Sequence, residues 1–306
     1  MKVTSGRPEI YALIAAAMNG SIGALTRVAL AGGVSHHQIA FMKCFLAFIF
    51  LLLFSIVRRG GWQSIVSLRG QWPRFMLLSF LGIFCLYYFE TWAFDEASIP
   101  LVSFLTYAAG GITLCLSVLL LGERLDVSKI LAFAAIVAGV YLIYAFEQGL
   151  TGSRIGMGLA LLGGLGYALF LVTSKYLKVG SGVAHLVWLF GGGSILLLWP
   201  ALRAGFTMPG WQAWTAIVAL VFIPTIGGFY FTTKAVRYGE ASKVQIIETS
   251  DPVFATTLGF FAFGDAMSGA GLLGAAFIFG GLLLAIRHSP RHDPMAPPPT
   301  ENALSE

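Results

Sequence analysis

The sequence predicts an all-α polytopic membrane protein with ten transmembrane helices, arranged as two inverted five-helix repeats. Three observations support this prediction: a shortage of charge, a succession of long apolar runs, and a motif that recurs in the second half of the chain. Of the 306 residues, 57% are hydrophobic and only 11% are Asp, Glu, Lys or Arg. Soluble domains carry about 25% charged residues, so a soluble globular fold is disfavoured.

Ten apolar runs are each long enough to cross a bilayer as a helix of about 20 residues. They cover residues 10–31, 37–57, 74–94, 98–121, 128–146, 155–177, 183–202, 212–233, 241–263 and 267–286. Barrel strands are disfavoured because the runs lack alternation of polar and apolar residues and are too long. The first run also exceeds the apolar core of a signal peptide, so it is predicted to remain as a membrane span.

A repeated motif divides the ten runs into two halves. Glu-Ala-Ser at residues 96–98 recurs at residues 240–242, and each copy precedes a run that closes on a Gly-acid pair, at residues 122–123 and 264–265. Each match alone is short enough to arise by chance, but both fall at the ends of the fourth run of a five-run half. Because five is odd, the second half must cross the membrane in the opposite sense, which is typical of secondary transporters.

The basic residues predict the orientation. Fifteen of the nineteen Lys and Arg residues fall on the side of the N-terminus, three (Arg27, Arg154 and Arg203) fall on the other side, and Lys43 lies within the second run. Cytoplasmic loops carry such an excess of positive charge. Both termini are therefore predicted to be cytoplasmic, in a multi-pass protein of the cytoplasmic (inner) membrane. This orientation explains the net charge of +5 without a nucleic-acid partner.

These patterns divide the chain into five segments. We expect a cytoplasmic N-terminus (1–9), a first five-helix repeat (10–146), a linker (147–154), a second five-helix repeat (155–287) and a disordered cytoplasmic tail (288–306). The tail contains five prolines and too few apolar residues to form a core, a composition that favours disorder.

Several short motifs resemble, in order and spacing, those of the drug/metabolite transporter superfamily, specifically its ten-span EamA-type branch. They are Ala97-Ser98, Leu121-Gly122-Glu123-Arg124-Leu125, Ser250-Asp251-Pro252 and Lys43. The sequence departs from the branch in three places: Lys replaces the usual Arg at 43, Thr-Tyr-Ala stands at 106–108 where the second half has Ser-Asp-Pro, and Asp replaces the expected Glu at 265. The resemblance covers residues 10–287.

The resemblance implies a secondary transporter that exports small metabolites by alternating access. Within the branch the chain resembles bacterial exporters of amino acids, including aromatic ones. A passive channel or facilitator and an exporter of drug-like cations are kept as alternatives. A membrane-embedded enzyme is disfavoured because no catalytic dyad is visible in the sequence, so we predict that the protein is not an enzyme.

Four residues are candidates for coupling or gating, because ionisable groups are costly in hydrocarbon. Lys43 either contacts substrate or a gate, or it is a structural cation paired with a carboxylate or helix-end carbonyls. Glu248 and Asp251 share a helix face, and Pro252 frees the carbonyl of Glu248. Such a helix can bind a proton, a cation or an ammonium group. Alternatively, Glu248 lies near enough to the cytoplasmic end of its helix to be solvated.

Burial would favour the protonated form of Asp251 and make it a proton carrier. If Lys43 pairs with Asp251 instead, the two form a latch.

Six residues on five runs are candidates for substrate binding: Asn19, Tyr87, Glu90, Tyr107, Tyr167 and Tyr230. Any one of the tyrosines fits the aromatic core equally well, but as a set they predict a cavity for an apolar or aromatic side chain. Asn19 requires a hydrogen-bond partner in hydrocarbon, either another helix or a substrate.

Neither a metal nor a cofactor is predicted. The five histidines and three cysteines lack the spacing of metal ligands. The glycine clusters at 163–166 and 191–193 lack the Lys-Ser/Thr of a phosphate loop, and we interpret them as sites of close helix packing. The expected partners are a small-molecule substrate and membrane lipid, and the sequence does not indicate an oligomeric state.

Overall fold

The computed structural model describes residues 8–108, 110–143, 145–146, 152–254 and 269–287. Within these ranges the chain is helical apart from short turns, and the one β-type contact is an isolated bridge between Ala97 and Gly152. The all-α prediction is confirmed for this part of the chain. The Gly-acid pair at 264–265, most of the linker and the tail lie outside the described residues.

We number the helices α1 to α10 by the apolar run that each contains. They are α1 (Pro8–Asn19 and Ile22–Ala31), α2 (His36–Val57), α3 (Trp72–Leu78, the π-helical Ser79–Cys85, and Leu86–Glu96), α4 (Ile99–Ala108 and Gly110–Leu121), α5 (Val127–Ile143), α6 (Arg154–Tyr176), α7 (Val183–Ala204), α8 (Trp211–Leu220, the π-helical Val221–Gly228, and Phe229–Tyr238), α9 (Ala241–Glu248 and helical residues 251–254) and α10 (Gly269–Arg287). A short helix, Gly61–Ser67, and a 3-10 turn, Arg69–Gln71, join α2 to α3.

Eight helical segments of the described part are long and apolar enough to cross a membrane. The other two runs correspond to α5, a shorter apolar helix, and to α9, which leads into residues 255–268, outside the described ranges. Eight of the predicted spans are therefore supported by helix length and composition, and the count of ten stays a prediction.

Helix ends differ from the predicted run ends where polar residues continue a helix. α3 extends to Glu96 and α8 to Tyr238, beyond the runs that end at 94 and 233. α1 begins at Pro8 and α6 at Arg154, inside the predicted N-terminal segment and linker. An apolar run marks the part of a helix that faces hydrocarbon, whereas the backbone hydrogen bonds continue into the polar ends.

The helix packing brings the two halves together. α2 packs on α7, α5 on α10, α3 on α6, α1 on α8, α4 on α6, and α1 on α9. Glycine allows the closest contacts: a Cβ at Gly166 would lie 2.5 Å from the Cβ of Cys85, and one at Gly193 would lie 2.3 Å from Cγ2 of Ile83. The interpretation of both glycine clusters as packing sites agrees with these contacts.

Polar contacts close the end of the bundle that holds Glu9, which we call the near end. Glu9 forms an ion pair with Lys243 (3.3 Å), and Lys129 forms one with Glu240 (2.8 Å). Glu123 accepts hydrogen bonds from the backbone N–H groups of residues 241 (2.7 Å) and 242 (3.1 Å), at the start of α9. Each of these contacts joins the first half of the chain to the second.

A different set of contacts forms at the opposite, far end. Arg27 donates to the carbonyl of Ala97 (3.2 Å), Ser153 donates to Glu96 (3.0 Å), and His36 Nδ1 lies 2.8 Å from a carboxylate oxygen of Asp95. Glu9 and Arg27 are about 27 Å apart by helical rise. The two Glu-Ala-Ser motifs therefore lie at opposite ends of α1.

Candidate functional site

Two small adjoining cavities lie in the middle of the bundle, between the two ends just described. They share Asn19, Ile22, Glu90 and Tyr107 as lining residues. Five of the six residues predicted to bind substrate line them: Asn19, Tyr87, Glu90, Tyr107 and Tyr167. Lys43 lines the larger cavity and Asp251 the smaller one.

Irregular helix segments surround these cavities. α1 is interrupted at Gly20-Ser21, where the Ser21 hydroxyl donates to the Met18 carbonyl (2.8 Å). α3 and α8 each contain a π-helical segment, and Pro224 within the segment of α8 has no N–H to donate. π-Helical turns are frequent at functional sites because they re-aim neighbouring side chains.

Lys43 is 2% exposed and reaches the cavity from α2. Its ammonium donates to the Thr91 hydroxyl (3.3 Å) and lies 4.0 Å from the ring centroid of Tyr87, a cation–π distance. Glu90 is the carboxylate that acts on it electrostatically. In the described ranges Lys43 forms no ion pair, so the latch between Lys43 and Asp251 considered from the sequence is not formed in this conformation.

Asp251 is buried and accepts a hydrogen bond from the hydroxyl of Tyr107. α9 is interrupted by a turn at Thr249-Ser250, and Asp251 starts the helical stretch that follows. This turn directly precedes Asp251 and Pro252.

Glu248 is 1% exposed. The solvated position considered for it is wrong, because its carboxylate accepts hydrogen bonds from the Tyr167 hydroxyl and from Oγ1 of Thr232 (2.6 Å). Sequence reasoning missed Thr232, because a threonine in an apolar run carries no signal of its own unless its partner acid is known. The same holds for Thr91, the partner of Lys43.

Tyr230 lies apart from this site. It is half-buried on α8, lines neither cavity, and has the ammonium of Lys234 4.5 Å from its ring centroid. The preceding residue, Phe229, lines the larger cavity instead, with its ring centroid 5.7 Å from that of Tyr87. Successive residues of a helix point about 100° apart around its axis. The residue type alone did not indicate which side of α8 faces the cavity.

The described side chains offer no metal centre. No group of three or more His, Cys, Asp or Glu residues in these ranges is placed to hold a metal ion. The site thus contains one buried ammonium, three buried carboxylates and an aromatic wall, which together suit an organic ligand that carries charge.

The EamA-like transporter family matches two stretches of the chain, residues 7–145 and 154–287, one in each half. The chain belongs to this family. The resemblance inferred from its motifs to the drug/metabolite transporter superfamily is thereby confirmed, and the protein is a multi-pass membrane transporter.

Two known proteins are similar to this EamA-like transporter. An uncharacterised transporter from Archaeoglobus fulgidus is 29% identical over 196 residues, which are 64% of this chain and 70% of that protein. A solved crystal structure matches with a TM-score of 0.73 and 19% identity, covering 91% of this chain and 98% of the other. At that identity the likeness concerns the fold alone.

In this EamA-like transporter, the Leu-Gly-Glu motif at residues 121–123 acts at the near end rather than in the cavity. Glu123 satisfies two backbone N–H groups at the start of α9 and also accepts from the hydroxyl of Ser242 (2.5 Å). A carboxylate is favoured there because the first N–H groups of a helix have no intrahelical acceptor and the helix dipole is positive at this end. The motif therefore fixes α9 to the first half of the chain.

Proposed function

We propose that this protein is a secondary transporter that exports amino acids with apolar or aromatic side chains across the cytoplasmic membrane by alternating access. One observation carries the proposal: the central cavity combines an aromatic wall with buried groups of both charges. Tyr87, Tyr107 and Tyr167 supply stacking surface and hydroxyl groups, while Lys43 and Glu90 supply a cation and an anion. This mixture suits a small zwitterion with an apolar side chain.

Alternating access is proposed on the basis of an inverted repeat. The six helix contacts named above are unchanged as a set when each helix of one half is exchanged for its counterpart in the other, so that α3 on α6 corresponds to α8 on α1. The family matches each half separately, and the two Glu-Ala-Ser motifs lie at opposite ends of α1. In secondary transporters built in this way, the substrate site lies at the interface of the repeats and each end opens in turn.

The proposed orientation identifies the two sides between which export would run. The near end, with the basic loops around residues 58–74 and 124–129, faces the cytoplasm because positive charge collects there. The far end then faces the periplasm or exterior. In the described conformation the near end is tied by Glu123, Lys129 and Lys243.

We propose proton coupling through the acids of α9. Asp251 accepts from one hydroxyl and Glu248 from two, and the described residues offer neither of them an ion pair. A buried carboxylate without a cation is favoured in its protonated form. Such an acid can release its proton when the cavity opens to water and take up another on the other side.

Transport into liposomes tests this function. The purified protein is reconstituted, and uptake of labelled L-phenylalanine is measured with and without a pH gradient. We expect uptake that the gradient accelerates, with competition by phenylalanine and methionine stronger than competition by aspartate or glucose. Equal or absent competition by amino acids would remove this substrate class while the family assignment stands.

A second candidate, export of drug-like cations, is favoured by a different observation. The site buries three carboxylates, of Glu90, Glu248 and Asp251, but only one ammonium. Tetraphenylphosphonium in the same assay separates the two candidates. Stronger competition by this cation than by phenylalanine would favour the second candidate.

A further inference from the structure

Two opposite charges face the larger cavity without pairing with each other. Lys43 is 2% exposed and Glu90 is 8% exposed, and both line that cavity. They act on one another electrostatically, yet they are not within the 4 Å of an ion pair. Two unlike charges held apart at one cavity leave room for a ligand between them.

Each of the two groups has unused hydrogen-bonding capacity. The ammonium of Lys43 has three donors, and the hydroxyl of Thr91 takes one of them. Oε2 of Glu90 is buried and has no hydrogen-bond partner within the described part of the chain. Leaving a buried carboxylate oxygen without a partner is costly, so this acceptor at the cavity is available to a donor on a ligand.

We propose that Lys43 and Glu90 together recognise the zwitterionic backbone of an amino acid. Lys43 binds the α-carboxylate with its two remaining donors, and Glu90 accepts from the α-ammonium. This inference rests on the proposed function and assigns the residues that select its substrate class. It also moves Lys43 from the coupling group, where the sequence placed it, to the substrate site.

The remaining polar groups of the site support this assignment. Asp251 accepts from Tyr107, and Glu248 accepts from Tyr167 and Thr232, so these carboxylates are occupied by the protein itself. Glu90 is thus the acid left to meet an ammonium. A ligand with a single charge would leave either Lys43 or Glu90 unpaired, which disfavours simple cations and simple anions.

The rest of the cavity wall determines the side chain that fits. Leu86, Pro224 and Phe229 line it together with the rings of Tyr87 and Tyr167. In the described ranges Lys43 and Glu90 are the charged residues of this wall. A charged side chain would therefore find no third charge in this cavity, and Asp251 of the adjoining cavity already accepts from Tyr107. The larger cavity thus selects amino acids with neutral, apolar or aromatic side chains.

The test removes one charge at a time from both ligand and protein. Binding to the full-length protein in lipid nanodiscs is measured by calorimetry for L-phenylalanine, for phenethylamine, which lacks the carboxylate, and for 3-phenylpropionate, which lacks the ammonium. We expect phenylalanine to bind the wild type roughly tenfold or more tightly than either analogue, because each charged hydrogen bond is lost with its group.

The variants should lose this preference selectively. Lys43→Met should weaken phenylalanine to the level of phenethylamine and change phenethylamine binding little. Glu90→Gln should weaken phenylalanine binding to the level of 3-phenylpropionate and change 3-phenylpropionate binding little. Lys43→Arg keeps the charge and should keep the preference, and Tyr230→Phe, outside both cavities, is the matched control.

Two results overturn the inference. If the analogues bind the wild type as tightly as phenylalanine does, the site does not recognise the two charges of the ligand. This comparison uses only the wild-type protein, so it does not depend on the folding of a variant. If both variants weaken all three ligands by one common factor, Lys43 and Glu90 have a structural role only, while phenylalanine transport by the wild type would still support the proposed function. A wild type that neither binds nor transports phenylalanine or methionine would overturn the proposed function together with the inference.

Discussion

Tyr107 donates a hydrogen bond to Asp251, and the two residues are 144 positions apart, the same offset that separates the two Glu-Ala-Ser motifs. Under the proposed inverted repeat they are therefore counterparts in the two halves. Counterparts related by a two-fold axis contact each other only when both lie beside that axis. The pair thus marks the centre of the proposed repeat, and the sequence difference between its members, a phenol and an acid, breaks the symmetry of the site.

The orientation of the chain gives the first prediction. Ser64 lies on the exposed short helix at the near end, and Gly210 is exposed at the far end. In a variant without native cysteines, Gly210→Cys should be modified by a membrane-impermeant maleimide added to intact cells, whereas Ser64→Cys should react only after the cells are opened. The reverse pattern would contradict the positive-inside orientation.

The carboxylate of Glu248 gives the second prediction. Tyr167→Phe and Thr232→Val each remove one hydrogen bond to this buried group, and each should lower the free energy of unfolding by about 1–3 kcal/mol. Thermal unfolding of the purified variants in detergent measures the change. Tyr230→Phe removes a hydroxyl outside both cavities and serves as the control. Melting temperatures that match the control in both variants would mean that Glu248 does not depend on these hydroxyls.

The composition of the helices explains how much of the fold could be predicted. Long apolar runs indicated the all-α fold, because in hydrocarbon only helices and closed barrels satisfy every backbone hydrogen-bonding group. The recurring motif indicated the two matched halves. The π-helical segments of α3 and α8 could not be predicted, since Ser79–Cys85 and Val221–Gly228 are as apolar as their flanks. Their geometry depends on tertiary contacts, such as the hydrogen bond from the Ser79 hydroxyl to the Leu189 carbonyl (2.8 Å).

The site residues likewise divide into those that the sequence could indicate and those that it could not. Lys43 and Glu90 could be found from the sequence because a charge inside an apolar run requires an explanation. Thr91, the partner of Lys43, and Phe229, another lining residue, could not, since both resemble any other residue of an apolar helix. Tyr230 was chosen by residue type, whereas the orientation of α8 presents Phe229 to the cavity. For a helix that is apolar on every side, only its packing against other helices determines which residues face the cavity.

The cap on α9 gives the third prediction. Glu123→Gln weakens the acceptor for the N–H groups of residues 241 and 242, and loss of a helix cap costs about 0.5–2 kcal/mol. Hydrogen–deuterium exchange at these two amides should become faster, because the near end then opens more often. Glu96→Gln is the matched control at the far end, where the carboxylate accepts from Ser153. Unchanged exchange at residues 241 and 242 would mean that Glu123 does not hold the near end closed.

The hydrogen-bonded pair of Tyr107 and Asp251 gives the last prediction, on coupling. Asp251→Asn keeps nearly the shape of the protonated acid but cannot exchange a proton, and its carbonyl oxygen can still accept from Tyr107. If Asp251 carries the coupled proton, the variant should lose phenylalanine transport driven by a pH gradient and keep exchange of labelled for unlabelled phenylalanine across the liposome membrane. Tyr107→Phe leaves the acid in place and should retain a response to the gradient. An Asp251→Asn variant that loses both activities, with unfolding at a lower temperature, would identify Asp251 as a structural residue. One that responds to the gradient like the wild type at every pH would assign the coupling to another acid, for which Glu248→Gln is the next variant to measure.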